Sequence, residues 1–224
     1  MGQQKTRDIQ SSYDRVADQY VQHLFDELRH KPLDRQLLNR LAADIRGEIC
    51  DMGCGPGQVA RYLKDAGAQV FGLDLSPGMI EQARKLNPDI RFCEGNMLAL
   101  ELADNTLGGV AAFYAIVNLP KHVLPQVFRE MARVMAPGGR LLLAFHAGDE
   151  VLAEKELWGH RITMEFALLP PAEICRQLEE AGLVVDEVVE RDPYPEVEYP
   201  SRRAYVLARK DGTSPEMPAE SNRA

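Results

Sequence analysis

The stretch at residues 51–57, Asp-Met-Gly-Cys-Gly-Pro-Gly, constrains the fold of this chain more than any other part of the sequence. An apolar run ends on Asp51, three glycines alternate behind it, and a helical pattern of apolar residues follows at 58–66. Glycines at such a junction let the backbone turn sharply and approach a ligand closely. The stretch therefore predicts a strand, a tight turn and a helix. It also predicts a ligand site at the turn, because open α/β sheets bind ligands at the carboxyl ends of their strands.

Short apolar runs and helical patterns alternate along the rest of the chain. The apolar runs predict strands at 47–51, 68–73, 90–94, 110–117, 140–145, 183–189 and 204–208, the last two as a closing hairpin. The helical patterns predict helices at 58–66, 76–87, 124–135 and 171–180, the second of them capped by Ser76. A Pro-Gly-Gly turn at 137–139 precedes the fifth strand. Strands that alternate with helices in this way predict a parallel, doubly wound α/β sheet.

Residues 1–46, 148–166 and 211–224 fall outside this alternation, and they indicate how the chain is divided. Residues 1–46 are mostly helical and amphipathic ahead of the first strand, and residues 47–210 carry the α/β pattern. Within the latter, residues 148–166 are too long for a plain connection, and additions beside a ligand cleft usually carry specificity. Residues 211–224 are polar, contain two prolines and have no periodicity, so we predict a disordered tail.

Charge and cysteine content exclude several classes of function. The net charge is −8, and an acidic surface repels phosphate backbones, so we expect no nucleic-acid partner. No apolar run approaches the length that spans a membrane, and the polar first residues are not typical of a secretory signal. The four cysteines form no zinc pattern, which predicts reduced thiols, no metal and a cytoplasmic location.

Further landmarks follow the glycine turn in a fixed order. Asp74 ends the second strand directly ahead of Leu-Ser-Pro-Gly-Met, and Gly-Asn-Met at 95–97 follows the third strand. The fourth strand leads into Asn118, and the N-terminal residues 12–20 read Ser-Tyr-Asp-Arg-Val-Ala-Asp-Gln-Tyr. With these landmarks in register over roughly residues 10–210, the chain resembles the class I S-adenosylmethionine-dependent methyltransferases of the small-molecule type.

The resemblance implies a Rossmann-like, seven-stranded, mostly parallel sheet with an antiparallel C-terminal hairpin strand. It implies a helical lid at residues 1–46, a methyltransferase domain at 47–210 and a substrate-side insertion at 148–166. The implied cofactor is S-adenosyl-L-methionine, with Asp74 on the ribose hydroxyls and residues 95–97 on the adenine. The cofactor-binding residues that it implies are Tyr13, Tyr20, Asp51, Gly53, Cys54, Gly55, Gly57, Asp74, Leu75, Met79, Gly95, Asn96, Met97 and Tyr114.

The implied reaction is methyl transfer to a small-molecule acceptor. If the accepting atom is a hydroxyl oxygen or an acidic carbon, the reaction also needs a base. His122, His146 and His160 are candidate bases. His146 is the best placed, because the strand at 140–145 delivers it to the carboxyl end of the sheet. A histidine there can also bind the substrate or serve a structural role.

Two alternatives remain open from the sequence. Gly55-x-Gly57-x-x-Ala60 satisfies a loose dinucleotide pattern, which suits an NAD(P)-dependent oxidoreductase, but no Tyr-x-x-x-Lys pair accompanies it. A non-catalytic S-adenosylmethionine-binding module is the other, since Asn96 and Asn118 replace the aspartate and histidine usual in the family. The sequence is compatible with a monomer or a homodimer.

Overall fold

A computed structural model of the chain describes residues 3–212, so most of the predicted tail at 211–224 lies outside the described residues. The helices are α1 (Gln3–Leu24), α2 (Pro32–Asp44), α3 (Gln58–Asp65), α4 (Pro77–Leu86), α5 (Leu124–Val134) and α6 (Pro171–Glu180). The strands are β1 (Ile49–Met52), β2 (Val70–Asp74), β3 (Arg91–Glu94), β4 (Leu107–Phe113), β5 (Met135–Ala147), β6 (Val151–Leu157), β7 (His160–Ala167), β8 (Leu183–Arg191) and β9 (Arg202–Lys210).

Seven of these strands form one sheet in the order β3-β2-β1-β4-β5-β9-β8. The pairs from β3 to β5 are all parallel, while β9 runs antiparallel to both β5 and β8. The predicted doubly wound sheet with an antiparallel C-terminal strand is confirmed. The strand order reverses between β1 and β4, and this switch point is where sheets of this kind open a crevice for ligands.

The central strands are buried on both faces, as their continuous apolar sequence predicts. In β4, Val110, Ala111 and Ala112 are fully buried, and Val127 and Phe128 of α5 pack beneath the sheet with no exposed surface. This buried sheet is the rigid platform from which the loops of the site project.

Two strand boundaries differ from the predicted ones by four or more residues. β4 ends at Phe113 instead of residue 117, because Tyr114 has a φ of 55°, which no strand residue adopts. β5 begins at Met135, so the predicted Pro-Gly-Gly turn lies inside the strand as a bulge. Gly138 makes this possible with a φ of 77°.

The N-terminal helix and the residue 148–166 insertion pack against each other above the sheet. The insertion forms a separate two-stranded antiparallel sheet, β6 with β7. The backbone N–H of Thr163 donates to Oγ of Ser12 in α1 at 3.0 Å. On its other side, α1 contacts α4, where Asp14 accepts hydrogen bonds from the Oγ of Ser76 (2.6 Å) and the backbone N–H of Gly78 (2.9 Å). No helix within residues 3–212 is long and apolar enough to cross a membrane.

A buried polar cluster ties α2 to the far end of the sheet. The hydroxyl of Tyr205 donates to Asp34 at 2.6 Å and accepts from Arg191 at 2.7 Å. Arg191 also pairs with both carboxylate oxygens of Glu198, at 2.6 and 3.0 Å. Burial raises the pKa of Asp34, whereas Arg191 holds the pKa of Glu198 at about 2 despite burial. The cluster fixes the segment between β8 and β9, which contributes to the site.

Candidate active site

The glycine turn after β1 is held in left-handed backbone conformations. Gly53, Gly55 and Gly57 have φ values of 75°, 52° and 87°. A Cβ on Gly53 would lie 2.4 Å from the Cβ of Ala115, so only glycine fits there. A Cβ on Gly55 would lie 3.8 Å from the ring of Tyr20, at ordinary contact distance, so the left-handed φ and not crowding favours glycine here. The turn thus brings bare backbone to the edge of a cavity.

Asp74, at the end of β2, lines the other side of the same cavity. Its Oδ2 accepts from the backbone N–H of Gly55 at 2.8 Å, and its Oδ1 accepts from that of Ser76 at 2.9 Å. Burial raises the pKa of this carboxyl group, and the two backbone bonds act in the opposite direction. Ser76 caps α4 by accepting from the N–H of Met79 at 3.1 Å, as its position in the sequence predicts. Asp74 therefore couples the glycine turn to the start of α4.

These elements enclose a first cavity at the switch point. Eleven of the residues that the resemblance implies line it, namely Tyr13, Tyr20, Gly53, Gly55, Asp74, Leu75, Met79, Gly95, Asn96, Met97 and Tyr114. Sequence reasoning did not assign six other lining residues to the site, namely Ile9, Leu73, Phe113, Ala115, Asn118 and Leu119. Four of these six lie at or after the carboxyl end of β4, next to the switch point, which is the sequence signal that could have identified them.

The structure places Asp51, Cys54 and Gly57 away from this cavity. The Oδ2 of Asp51 accepts from the N–H of Ala60 in α3 at 2.9 Å, and burial raises the pKa of Asp51 to about 8. Cys54 is buried in an apolar cluster with Phe92, and a Cβ on Gly57 would lie 2.7 Å from that ring. These three residues support the glycine turn on the side that faces away from the cavity.

Helix α1 covers the first cavity. The hydroxyl of Tyr13 donates to Oδ1 of Asn118 at 2.5 Å, and Tyr20 packs edge-on against both Tyr13 and Trp158. The cavity beneath them measures about 80 Å³, whereas pockets for small ligands usually measure about 300–1,000 Å³. The cavity covered by α1 is therefore smaller than a usual small-ligand pocket.

A second, larger cavity of about 450 Å³ adjoins the first and shares Tyr13, Tyr20 and Tyr114 with it. The residue 148–166 insertion supplies much of its apolar wall through Leu152, Leu157, Trp158 and Phe166. Its polar lining consists of Glu27, Lys31, His146, Glu154, Glu198, Tyr199 and Arg203 together with the shared tyrosines. The shared residues mark the junction where two bound molecules would meet.

His146 lines the second cavity and not the first. Its Nδ1 lies 2.7 Å from the Oγ of Ser201, and its ring lies 5.1 Å from that of Tyr114. Burial lowers the pKa of His146 to about 3, and the positive charges of Arg203 and Lys31 act in the same direction. The imidazole is therefore neutral at physiological pH.

The two other candidate histidines lie outside both cavities. His122 is exposed ahead of α5, and His160 opens β7. Within the described part of the chain, no group of three His, Cys, Asp or Glu side chains is arranged to hold a metal ion.

The donor set of the first cavity fits S-adenosylmethionine. A half-buried carboxylate such as Asp74 accepts hydrogen bonds from a vicinal diol, and Gly53 and Gly55 line the cavity with backbone alone. The Oδ1 of Asn96 already accepts from the N–H of Leu98 at 3.0 Å, which leaves one lone pair on this oxygen and the amide N–H groups.

Comparison with known proteins agrees with this geometry. Residues 49–139 match the family model described as a methyltransferase domain. The chain is 30% identical to a malonyl-[acyl-carrier protein] O-methyltransferase of Enterobacter lignolyticus over 67% of this chain and 58% of that protein. It is 37% identical to a demethylmenaquinone methyltransferase of Renibacterium salmoninarum over 47% of this chain and 46% of that protein. The chain thus spans about half the length of the curated relatives it matches.

Solved structures share the whole fold. The DhpI–SAH complex superposes with a TM-score of 0.73 at 20% identity, covering 95% of this chain and all of that one. A putative methyltransferase bound to the Trm112 activator of Haloferax volcanii gives 0.71 at 21% identity, covering 92% of this chain and 99% of that one. Residues 49–139 thus match a methyltransferase domain, and the described chain has the fold of the S-adenosylmethionine-dependent methyltransferases. The predicted fold is confirmed, and the domain match agrees with the predicted class and cofactor.

Proposed function

We propose that this protein transfers the methyl group of S-adenosylmethionine to a small-molecule acceptor. The observation that carries the proposal is the pair of adjoining cavities, which meet at Tyr13, Tyr20 and Tyr114. The first has the half-buried carboxylate of Asp74 and bare backbone that suit the cofactor, and the second has the size and apolar walls of a small-ligand pocket. Two molecules held in this way meet end to end, as an in-line displacement requires.

Within the first cavity, each implied residue has a proposed task. Asp74 accepts hydrogen bonds from the ribose hydroxyls, and Gly53 and Gly55 let the chain lie close to the cofactor. Met79, Leu75 and residues 95–97 surround the adenine. Because Asp51, Cys54 and Gly57 do not line the cavity, we assign them to the support of the turn. The bound cofactor supplies an electrophilic methyl group, so the chain has to provide position and exclusion of water.

The proposal that the acceptor is a small molecule is supported by the second cavity and by the relatives. The malonyl-[acyl-carrier protein] and demethylmenaquinone methyltransferases are named for acceptors that are not nucleic acids, and the net charge of −8 here also disfavours nucleic acid. We assign residues 1–46 to a lid and residues 148–166 to the acceptor wall of a domain at 47–210. We also propose a cytoplasmic location, because all four cysteines are free thiols. For the oligomeric state we propose a monomer or a homodimer.

Labelled methyl transfer tests this function. The protein is incubated with S-adenosylmethionine that carries an isotope-labelled methyl group and with a low-molecular-weight metabolite extract, and labelled products are sought by mass spectrometry. We expect a labelled small molecule and an equal amount of S-adenosylhomocysteine. If the protein binds the cofactor but no metabolite fraction yields a labelled product, the proposal is contradicted.

Asp74→Ala is the matched variant for this experiment. We expect it to weaken S-adenosylhomocysteine binding by about 1–3 kcal/mol, the cost of losing charge-assisted hydrogen bonds. Asp89→Ala removes an exposed acid next to β3 and serves as the control with unchanged affinity. Wild-type affinity in a folded Asp74→Ala protein would remove Asp74 from the proposed site.

A further inference from the structure

One end of the second cavity is lined by two buried cations. Lys31 and Arg203 line this end and are only 5% and 2% exposed. The carboxylate beside them, Glu198, already accepts two hydrogen bonds from Arg191 and one from the backbone N–H of Tyr194. The Nε of Arg203 is buried and lies 3.6 Å from Oε1 of Glu198, so Arg203 adds positive charge to this end of the cavity without a free Nε donor.

Lys31 keeps part of its donor capacity. Its ammonium group donates to Glu27 at 2.6 Å and lies 3.6 Å from Glu198, which is beyond hydrogen-bond distance. An ammonium group carries three hydrogens, so the bond to Glu27 leaves others for a ligand. Glu27 in turn accepts a second bond, from the side chain of Gln58 at 3.3 Å. Glu154, the remaining carboxylate of the lining, is exposed to solvent at the rim.

The hydrogen bonds around Ser201 define which nitrogen of His146 carries the hydrogen. The Oγ of Ser201 accepts from the guanidinium of Arg203 at 2.6 Å and lies 2.7 Å from Nδ1 of His146. A guanidinium only donates, so the serine hydrogen needs another acceptor, and Nδ1 is its partner among the described residues. When Nδ1 accepts, the single hydrogen of a neutral imidazole lies on Nε2. His146 then offers the cavity an N–H donor instead of a lone pair.

Two cations, Arg203 and Lys31, act on His146. Burial lowers its pKa to about 3 together with the charges of Arg203 and Lys31, while Glu198 opposes them. Cations that disfavour a positive charge on the ring favour a negative charge on a ligand beside it. An imidazole with such a low proton affinity is also a weak general base. An acceptor that binds as an anion does not need one.

We propose that the acceptor is an apolar molecule with an acidic oxygen (a carboxylate, phenolate or enolate) that His146 binds through its Nε2–H beside Lys31 and Arg203. This assignment rests on the proposed methyl transfer and adds the acceptor class. The apolar body lies against Trp158 and Phe166 of the insertion. The anion attacks through its oxygen or its conjugated carbon, and the new bond to the methyl carbon forms as the carbon–sulfur bond breaks. The electron pair of that bond remains on sulfur, so the anion and sulfonium charges cancel and no proton has to be removed.

Binding of a matched pair of probes tests the acceptor class. 2-Naphthoate has an apolar body and a carboxylate, and 2-naphthamide is its neutral counterpart of nearly the same shape. Both are titrated calorimetrically into the full-length protein in the presence of S-adenosylhomocysteine. We expect naphthoate to bind at least about tenfold more tightly, since a hydrogen bond to a charged group exceeds one to a neutral group. Equal affinity of the two probes overturns the proposal.

Variants of His146 separate a donor from a base. His146→Gln retains a neutral N–H donor and is expected to bind naphthoate within about threefold of the wild type, whereas His146→Leu is expected to lose about tenfold. His122→Gln, at an exposed histidine outside both cavities, is the control. Wild-type affinity in His146→Leu overturns the role of His146, and so does equal weakening in the Gln and Leu variants.

Affinity for S-adenosylhomocysteine is measured in the same samples. If the wild type does not bind S-adenosylhomocysteine, the proposed function as a whole is overturned. If it binds S-adenosylhomocysteine but does not prefer naphthoate, only the acceptor class is overturned. If His146→Leu also loses S-adenosylhomocysteine binding, the variant is misfolded, and the comparison of the two probes on the wild-type protein decides.

Discussion

The side chain of Asp51 behaves as a neutral acid in the folded protein, and its replacement by asparagine tests how the glycine turn is supported. The residue is 1% exposed, and burial raises its pKa to about 8, against the opposing effect of the hydrogen bond from the N–H of Ala60. In the unfolded chain the pKa is near 3.8. The folded protein at neutral pH therefore holds a proton here that the unfolded chain has lost.

The sign of the pH dependence follows from this difference. Because the folded pKa lies above the unfolded pKa, the stabilising contribution of Asp51 is full below about pH 4 and is lost as the pH rises toward 8. Within that window the free energy of unfolding falls by about 1.4 kcal/mol per pH unit on account of this one group. Between pH 5 and pH 7 its contribution therefore decreases by roughly 3 kcal/mol.

Urea unfolding at pH 5 and pH 7 measures this contribution. Asp51→Asn keeps an oxygen that can accept from Ala60 and does not ionise, while every other titrating group is common to both proteins. The free energy of unfolding of Asp51→Asn should rise by about 2–3 kcal/mol relative to the wild type on going from pH 5 to pH 7. Asp44→Asn, at an exposed acid, should follow the wild type. The same pH dependence in Asp51→Asn and the wild type would refute the reasoning.

Two further predictions concern the packing around the site. Tyr205→Phe removes the hydroxyl that donates to the buried Asp34, and should lower the free energy of unfolding by about 2 kcal/mol in urea titrations; an unchanged value would show that the cluster adds no net stability. Asp14→Ala removes the contact of α1 with Gly78, and should speed the binding of S-adenosylhomocysteine in stopped-flow experiments that follow Trp158, the single tryptophan. Identical association rates would show that this contact does not hold the lid closed.

Most of the fold could be predicted from the sequence because its signals are local. Strand and helix patterns, the Ser76 cap and the glycine turn each depend on neighbouring residues, and together they predict the parallel sheet. The boundaries that differ depend on tertiary structure. Tyr114 ends β4 with a left-handed backbone, although it stands inside an apolar run. The Pro-Gly-Gly turn becomes a bulge because β4 continues to pair with β5 across it.

The candidate site could be predicted only in part, for a similar reason. The sequence places Asp51 and Asp74 at strand ends, but it does not reveal that Asp51 caps α3 from behind while Asp74 borders the cavity. The contact of His146 with Ser201 joins residues that are far apart in the chain. It depends on the antiparallel pairing of β5 with β9, which sets His146 opposite Arg203. The cation-lined end of the second cavity is therefore visible only in the folded protein.

Cofactor binding by the wild-type protein tests the central claim most directly. Calorimetric titrations with S-adenosylhomocysteine and with NADH compare the assigned cofactor with the dinucleotide that the Gly55-x-Gly57-x-x-Ala60 pattern would suit. We predict saturable one-to-one binding of S-adenosylhomocysteine, weakened in Asp74→Ala, and no binding of NADH. Saturable binding of NADH, with none of S-adenosylhomocysteine, would contradict the account.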